Sequence, residues 1–208
     1  EEKGAYIDSF TSGKRNVTRH ANIFAILFDI ADKQKQEKIL TNVLENDEIP
    51  AITTPYFNFF ELDVLCQMGK LTEVLDKIRS YWGGMLDLGA VTFWEEYDPS
   101  VPKEEQYDMY GDHFGKSLCH AWAASPIYFL AKYFAGLDLV NKDGVTYILK
   151  PQMQYFTELD CTLPVGSNGV VRLVWDGEIL EITPNADGGI LELGEQKLSL
   201  VRGETRRV

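Results

Sequence analysis

The chain has 208 residues, of which 45% are hydrophobic, and it carries a formal net charge of -12 at pH 7. This length and hydrophobic content allow one large domain or two small ones with a buried core. The negative charge disfavours nucleic acid and anionic membranes as partners, because both are bound through an excess of Lys and Arg. We therefore expect neither as a partner, and a neutral or cationic ligand instead.

The cysteines, Cys66, Cys119 and Cys161, are far apart and form none of the short Cys or His spacings that hold zinc. We predict three buried thiols and neither a metal nor a cofactor. No apolar run approaches the roughly 20 residues of a membrane-spanning helix. Any signal peptide would lie upstream of residue 1, so the periplasm, the cell exterior and the cytoplasm all stay open as compartments.

Apolar residues recur at helical spacing through the first part of the chain. The predicted helices are His20 to about Asp32 with Thr18 as N-cap, about Lys33 to Glu45, Tyr56 to Met68 after Thr54-Pro55, Leu71 to Trp82 with Gly83-Gly84 as its stop, and Lys116 to Phe134. Pro126 should either kink the last of these or end one helix and begin another. Helices of this length joined by short turns pair antiparallel, which predicts an array of helical hairpins or an α/α-barrel.

An irregular acidic segment separates the last two of these helices. It places Glu95, Glu96 and Asp98 beside Trp94 and Tyr97, and more carboxylates follow. Paired carboxylates next to an aromatic ring are typical of acid/base chemistry on a polyol, because the ring covers the C–H face of a sugar. If the acidic groups converge, at least one carboxyl pKa should be raised. The alternative interpretation is a solvated acidic loop.

After Gly136 the helical period gives way to short runs with strand-like character. The predicted strands are Val145 to Leu149, Met153 to Leu159, Gly169 to Trp175, Glu178 to Thr183, Gly189 to Leu193 and Lys197 to Val201. Asp176-Gly177 predicts a hairpin with a type I′ turn, since Asp-Gly supplies the positive φ angles that this turn requires. The spacing of these runs predicts an antiparallel β-sandwich.

Three segments occur in an order known from one enzyme family: Thr54-Pro55-Tyr56, residues 89–98, and Ser117 to Trp122. Over about residues 17–195 the chain resembles the C-terminal part of bacterial α-L-rhamnosidases of glycoside hydrolase family 78. The strongest motif is Thr92-Phe93-Trp94-Glu95, and the second is Ser117 to His120. The resemblance implies an α+β multidomain fold, with part of an (α/α)6 barrel of helical hairpins over residues 1–139 and an antiparallel β-sandwich over residues 140–208.

The resemblance also implies an activity, the inverting hydrolysis of terminal α-L-rhamnose. In such enzymes one carboxylic acid protonates the leaving oxygen and a second carboxylate, about 6.5–9.5 Å away, activates water. By this resemblance Glu95 is the general base, and Trp94, Tyr97 and His120 bind the substrate. Glu96 matches no catalytic position and is expected to have a structural role.

The same resemblance places the general acid upstream of residue 1, in the first half of the barrel. The implied partners are a rhamnose-containing oligosaccharide or glycoside and the upstream half of the same enzyme. Alone, the chain should be incomplete, inactive and prone to self-association. The alternative is a non-catalytic carbohydrate-binding or scaffolding module whose acidic groove binds a polyol or a cation. The two interpretations can be distinguished by whether the same gene also encodes an upstream barrel half with an acidic motif, as the glycosidase requires.

Several residues have a structural interpretation from their pattern alone. A histidine on an apolar helix, such as His120, is ordinarily a core residue, although the motif favours a sugar contact. We expect structural roles for His20 and His113. The aromatic clusters at residues 56–60 and 128–134 are interpreted as packing, and Glu61 and Asp63 as the solvated face of their helix.

Overall fold

The structure is a computed structural model that describes residues 4–140, 146–167 and 169–208. The chain is α+β and divides into two compact units, Glu1–Ser125 and Pro126–Val208. The sequence predicts a boundary between residues 139 and 140, whereas the helical residues 126–134 belong to the second unit. The assignment of the two parts to a barrel and a sandwich domain is not tested by this division and stays a prediction.

The first unit contains the helices that the apolar spacing predicts up to residue 82, together with a further helix over residues 83–87 that it does not predict. They are α1 (Arg19–Leu27), α2 (Lys33–Ile39), α3 (Pro55–Gln67), α4 (Leu71–Lys77) and α5 (Gly83–Asp87). A π-helical turn, Leu40–Leu44, extends α2, and another, Ile78–Trp82, joins α4 to α5. Contacts of α3 with α1 and with α4 bury one apolar core, formed by Ile23, Ile26, Ile39, Val43, Leu62, Leu65 and Val74.

The ends of the helices follow local backbone chemistry. The side chain of Thr18 caps α1 by accepting a hydrogen bond from the backbone N–H of Ala21 (3.5 Å), as predicted. The helix ends at Leu27 rather than near Asp32, since Asp29 has a φ of 54° that a right-handed helix does not permit. Asp32 is instead the N-cap of α2, where its carboxylate accepts from the backbone N–H of Lys35 (2.8 Å).

Gly83 and Gly84 do not stop the fourth helix, so that prediction is wrong. The helical backbone continues through them to Asp87 as α5. A Cβ atom on Gly84 would overlap the phenol ring of Tyr97. The missing side chain therefore serves the close approach of the following irregular segment.

The predicted helix from Lys116 to Phe134 is wrong in its first half. Residues 116–120 are irregular, Ala121–Ala123 form a 3-10 turn, and α6 begins only at Ser125 and ends at Phe129 before a π-helical turn, Leu130–Phe134. The reason is that backbone groups of residues 117 and 120 bond the acidic segment instead of a helical turn. Pro126 then stands at the first turn of α6, where its missing N–H costs nothing.

The second unit holds two four-stranded sheets. The first has the order β1-β2-β6-β7, from β1 (Leu137–Leu139), β2 (Tyr147–Leu149), β6 (Gly189–Leu193) and β7 (Gln196–Leu200). The second has the order β3-β4-β5-β8, from β3 (Leu159–Val165), β4 (Gly169–Trp175), β5 (Leu180–Pro184) and β8 (Arg206–Arg207). All pairs are antiparallel except β2 and β6, which are parallel, so the prediction of purely antiparallel pairing is wrong for that pair.

Both sheets contribute to one apolar core, which is consistent with a β-sandwich. Its buried members include Tyr147, Leu149, Leu191 and Leu200 from the first sheet and Val165, Val171, Leu173 and Ile182 from the second. The predicted strand from Met153 to Leu159 is wrong, because Met153–Tyr155 form a 3-10 turn and β3 starts only at Leu159. The predicted strand start at Val145 lies outside the described residues.

The hairpin between β4 and β5 is confirmed, but its turn is not type I′. Gly177 has a φ of 99°, and Asp176 is not among the residues with positive φ, whereas type I′ needs positive φ at both central positions. The carboxylate of Asp176 instead accepts from the backbone N–H groups of Glu178 (2.9 Å) and Ile179 (2.8 Å). An Asx turn thus closes a four-residue loop.

The structure also bears on the predictions for the cysteines and for membrane-spanning helices. The three cysteines form no disulfide, but only Cys66 is buried, while Cys119 is exposed and Cys161 is half-buried. Within the described part of the chain, no helix is long and apolar enough to cross a membrane.

Candidate active site

The two sequence motifs lie side by side in the first unit. The backbone N–H of Glu95 donates to the carbonyl of Ser117 (2.9 Å), and the backbone N–H of His120 donates to the carbonyl of Phe93 (2.8 Å). The hydroxyl of Thr92 donates to the carbonyl of Leu118. These bonds satisfy backbone groups of two irregular segments and fix the segment that carries Glu95 against the segment that carries His120.

The carboxylate of Glu95 is held by two donors. Its Oε1 accepts from the hydroxyl of Tyr110 (2.9 Å), and its Oε2 accepts from the backbone N–H of Ser117 (3.1 Å). The bond from Ser117 is the main cause that lowers the pKa of Glu95, followed by the bond from Tyr110 and the charges of His120 and Lys116. Like charges therefore do not raise the pKa of Glu95, because its hydrogen-bond donors and the charges of His120 and Lys116 act in the opposite direction.

Glu96 points to different partners. Its Oε1 accepts from the hydroxyl of Thr53 (2.8 Å), and its Oε2 lies 4.0 Å from the Nζ of Lys116. Lys116 is buried, and this burial lowers its pKa despite the neighbouring Glu96. The arrangement fits the structural role expected for Glu96, since it ties the acidic segment to the residues before α3.

Trp94 and Tyr97 flank the two carboxylates. Trp94 is only 3% exposed and packs edge-on against Tyr107, with ring centroids 5.7 Å apart. Tyr97 is half-buried, packs edge-on against Tyr81 and lines a cavity of about 620 Å³ together with Lys77. The substrate-binding roles of Trp94 and Tyr97 stay predictions.

His120 is half-buried and is not sealed in the core. Its ring lies edge-on to Trp122 at 5.8 Å, and its charge acts on Glu95. This position is compatible with the predicted contact to a sugar or to Glu95, which itself stays a prediction. The exposed His113 lies against Asp108 instead. Among the described residues there is no group of three or more His, Cys, Asp or Glu side chains that could hold a metal ion.

Sequence reasoning misses the two donors to Glu95. Tyr110 stands at the tip of the acidic loop with a φ of 54°, just before Gly111. The Tyr-Gly pair in a polar run is the only local signal for such a turn. The acidic side chains of the same loop, Glu104, Glu105 and Asp108, are exposed. The loop thus brings a phenol, rather than further carboxylates, to Glu95.

No family model and no curated protein matches the sequence. Solved structures do match, and one of them is the crystal structure of a GH78 family rhamnosidase of Bacillus sp. GL1. The TM-score is 0.73 at 24% sequence identity, and the match covers 94% of this chain and 21% of that chain.

This similarity shows a shared fold. The chain has the fold of a part of the rhamnosidase and spans about a fifth of its length. The fold expected from the motif resemblance is supported to that extent.

Proposed function

We propose that residues 1–208 are part of an inverting glycoside hydrolase that releases terminal α-L-rhamnose, with Glu95 as the general base. The observation that carries this proposal is the carboxylate of Glu95, held in its ionised form by the backbone of the segment that leads to His120. The shared fold with a GH78 family rhamnosidase supports it. In this proposal His120, Trp94 and Tyr97 line the rhamnose subsite.

The chemistry needs an ionised base that water can reach. The carboxylate of Glu95 is half-buried, so a water molecule can approach it while its two donors keep it oriented. Glu95 would take a proton from that water as the oxygen attacks the anomeric carbon. The bond to the leaving oxygen breaks on the opposite face of the ring, and a carboxylic acid protonates that oxygen. The general acid would come from residues outside 1–208.

The structural part of the proposal concerns the helices. We propose that α1 to α5 are hairpins from the C-terminal part of an (α/α)6 barrel, that residues 1–139 belong to this barrel and that residues 140–208 form the following sandwich domain. The partners would be a rhamnose-containing oligosaccharide or glycoside and the upstream half of the enzyme. We refer to the protein that includes this upstream half as the complete enzyme.

The test of the function is hydrolysis by the complete enzyme. It should cleave an aryl α-L-rhamnoside, and proton NMR of the first product should show β-L-rhamnose, because a single displacement inverts the anomeric centre. Retention of configuration would contradict the role of Glu95 as a base for water. Binding of rhamnosides without any cleavage would favour the non-catalytic carbohydrate-binding module.

Residues 1–208 alone should show no rhamnosidase activity and should self-associate. Large apolar side chains are exposed on the helical unit, among them Phe28, Leu86, Val91 and Phe114. Monomeric proteins seldom expose a continuous apolar patch larger than a few hundred Å², and each Å² that is buried contributes roughly 25 cal/mol. Light scattering on the purified chain and an assay on an aryl rhamnoside measure both properties. A monodisperse monomer that cleaves the substrate would place the general acid within residues 1–208.

Replacement of His120 should affect catalysis more than stability. His120→Ala should lower kcat/KM in the complete enzyme while the melting temperature changes little, because the ring is half-buried and lies near Glu95. His20→Ala is the matched control, since His20 also packs edge-on against an aromatic ring, Phe57, at 4.3 Å. A destabilised His120→Ala enzyme with normal kinetics would restore the interpretation of His120 as a core histidine.

A further inference from the structure

An aromatic cleft lies beside the candidate active site, within the first unit. Tyr56 is 43% exposed and Trp122 is 69% exposed, and their rings are tilted by 38° with centroids 5.3 Å apart. The cleft has a volume of about 290 Å³ and is lined by Tyr56, Phe59, Ala121, Trp122, Ala124 and Ser125. Within the aromatic cluster at residues 56–60, which is interpreted as packing, Tyr56 also presents part of its ring to solvent.

The ring of Tyr56 is held in its exposed position. Phe57 and Phe60 both pack edge-on against it, each with a centroid distance of 5.5 Å and an interplanar angle of 88°. These contacts lie on α3, so the ring is supported by a helix rather than by a mobile loop. A rigid aromatic surface binds a ligand with little loss of conformational entropy.

Ser125 gives a second, independent indication of a ligand. The residue lines the cleft and is only 8% exposed, and its buried Oγ has no hydrogen-bond partner among the described residues. An unpaired buried hydroxyl is unfavourable. A hydroxyl group of a ligand in the cleft would supply the missing partner. One joint surface of two aromatic rings and one unsatisfied hydroxyl match the C–H face and the hydroxyl groups of a sugar ring.

The cleft is connected to the proposed catalytic base. The ring of His120 lies edge-on to Trp122 at 5.8 Å, and the charge of His120 contributes to the lowered pKa of Glu95. A ligand stacked on Trp122 would thus contact the side chain that packs against His120, and the charge of His120 acts on Glu95. The cleft volume is at the low end for small-molecule pockets, which start at about 300 Å³, and so suits a single ring.

We infer that this cleft is a subsite for one pyranose ring of the glycoside, which stacks on Trp122 and Tyr56 and bonds the hydroxyl of Ser125. The identity of the sugar rests on the proposed function, since the ring is either the rhamnose that is released or the sugar to which it is attached. The shared chemistry is a pyranose with an apolar C–H face.

The experiment measures sugar binding by calorimetry and saturation-transfer NMR on the complete enzyme. The ligands are L-rhamnose, methyl α-L-rhamnoside and a rhamnosyl-glucose disaccharide. Trp122→Ala should weaken binding about tenfold or more, as truncation of an aromatic anchor commonly does, while Trp122→Phe should retain most of the affinity. Ser125→Ala should weaken binding several-fold. Phe10→Ala is the control, because Phe10 is 92% exposed and lies outside the cleft.

A comparison of the three ligands identifies which sugar ring binds in the cleft. Equal loss of affinity for all three ligands in Trp122→Ala places the rhamnose itself in the cleft, and a loss confined to the disaccharide places the attached sugar there. Unchanged binding of every ligand in both Ser125→Ala and a folded Trp122→Ala would overturn the inference, even if the enzyme cleaves rhamnosides. Binding that depends on Trp122 without any cleavage would support the subsite and reject the proposed function.

Discussion

Glu95→Gln in the complete enzyme should lower kcat by about 10²–10⁴, the usual cost of losing a general base. Binding of rhamnose should stay within a few-fold of the wild-type value. The amide has the shape of the carboxylate, and its oxygen can still accept from the backbone N–H of Ser117 while its NH₂ group faces the hydroxyl oxygen of Tyr110. The variant therefore keeps the geometry of the site but cannot take a proton from water. Steady-state kinetics on an aryl rhamnoside and calorimetric binding of rhamnose separate the two effects.

Glu104→Gln is the matched control, since Glu104 is an exposed carboxylate on the same acidic segment. It should leave kcat unchanged. If Glu95→Gln retains more than half of the wild-type kcat, Glu95 is not the base. Glu96 would then be the next residue to replace, although its contacts with Thr53 and Lys116 favour a structural role.

Part of this site could be predicted from the sequence because it depends on local motifs. Glu95 and His120 lie in short segments that can be recognised by their residues alone, and the structure brings these segments together through backbone bonds. The partners of the Glu95 carboxylate could not be predicted, because the backbone N–H of Ser117 has no signature of its own. The phenol of Tyr110 reaches Glu95 only through the fold of the loop.

The fold shows the same distinction between local and tertiary causes. The helices up to residue 82 follow from apolar periodicity and from caps such as Thr18. Sequence patterns misjudge Gly84, because its role is to admit the ring of Tyr97 from the irregular segment that follows α5. Residues 116–120 precede an apolar run with helical spacing, yet their backbone bonds the acidic segment instead of extending that helix. In each case a tertiary contact overrides the local preference.

Glu61 shows how tertiary contacts also decide burial. Its place on α3 suggests a solvated face, but that prediction is wrong, because the side chain is 2% exposed. Its Oε1 accepts from the Nη1 of Arg19 on α1 (2.9 Å) and from the Nζ of Lys77 on α4. One carboxylate thus joins three helices and compensates two cations, and its burial could not be read from the pattern of a single helix.

Glu61→Gln should destabilise the protein by about 3–5 kcal/mol, the usual cost of removing one partner from a buried ion pair. The amide would leave the buried Arg19 and the half-buried Lys77 without a counter-charge. Desolvation already lowers the pKa of Lys77, although Glu61 raises it. Thermal and urea unfolding followed by circular dichroism measure the loss. Glu73→Gln is the control, since Glu73 pairs with Lys70 at the surface (3.7 Å) and such pairs contribute at most about 1 kcal/mol.

A second variant separates the contribution of the ion cluster to stability from the cost of leaving two of its charges unpaired. Replacement of all three residues, Arg19→Met, Glu61→Leu and Lys77→Met, removes the cations together with their counter-charge. Its stability should lie close to that of the wild type, because desolvation offsets most of the attraction within a buried ion cluster. A Glu61→Gln protein as stable as the Glu73→Gln control would show that water reaches the three charges and that they do not hold α1, α3 and α4 together.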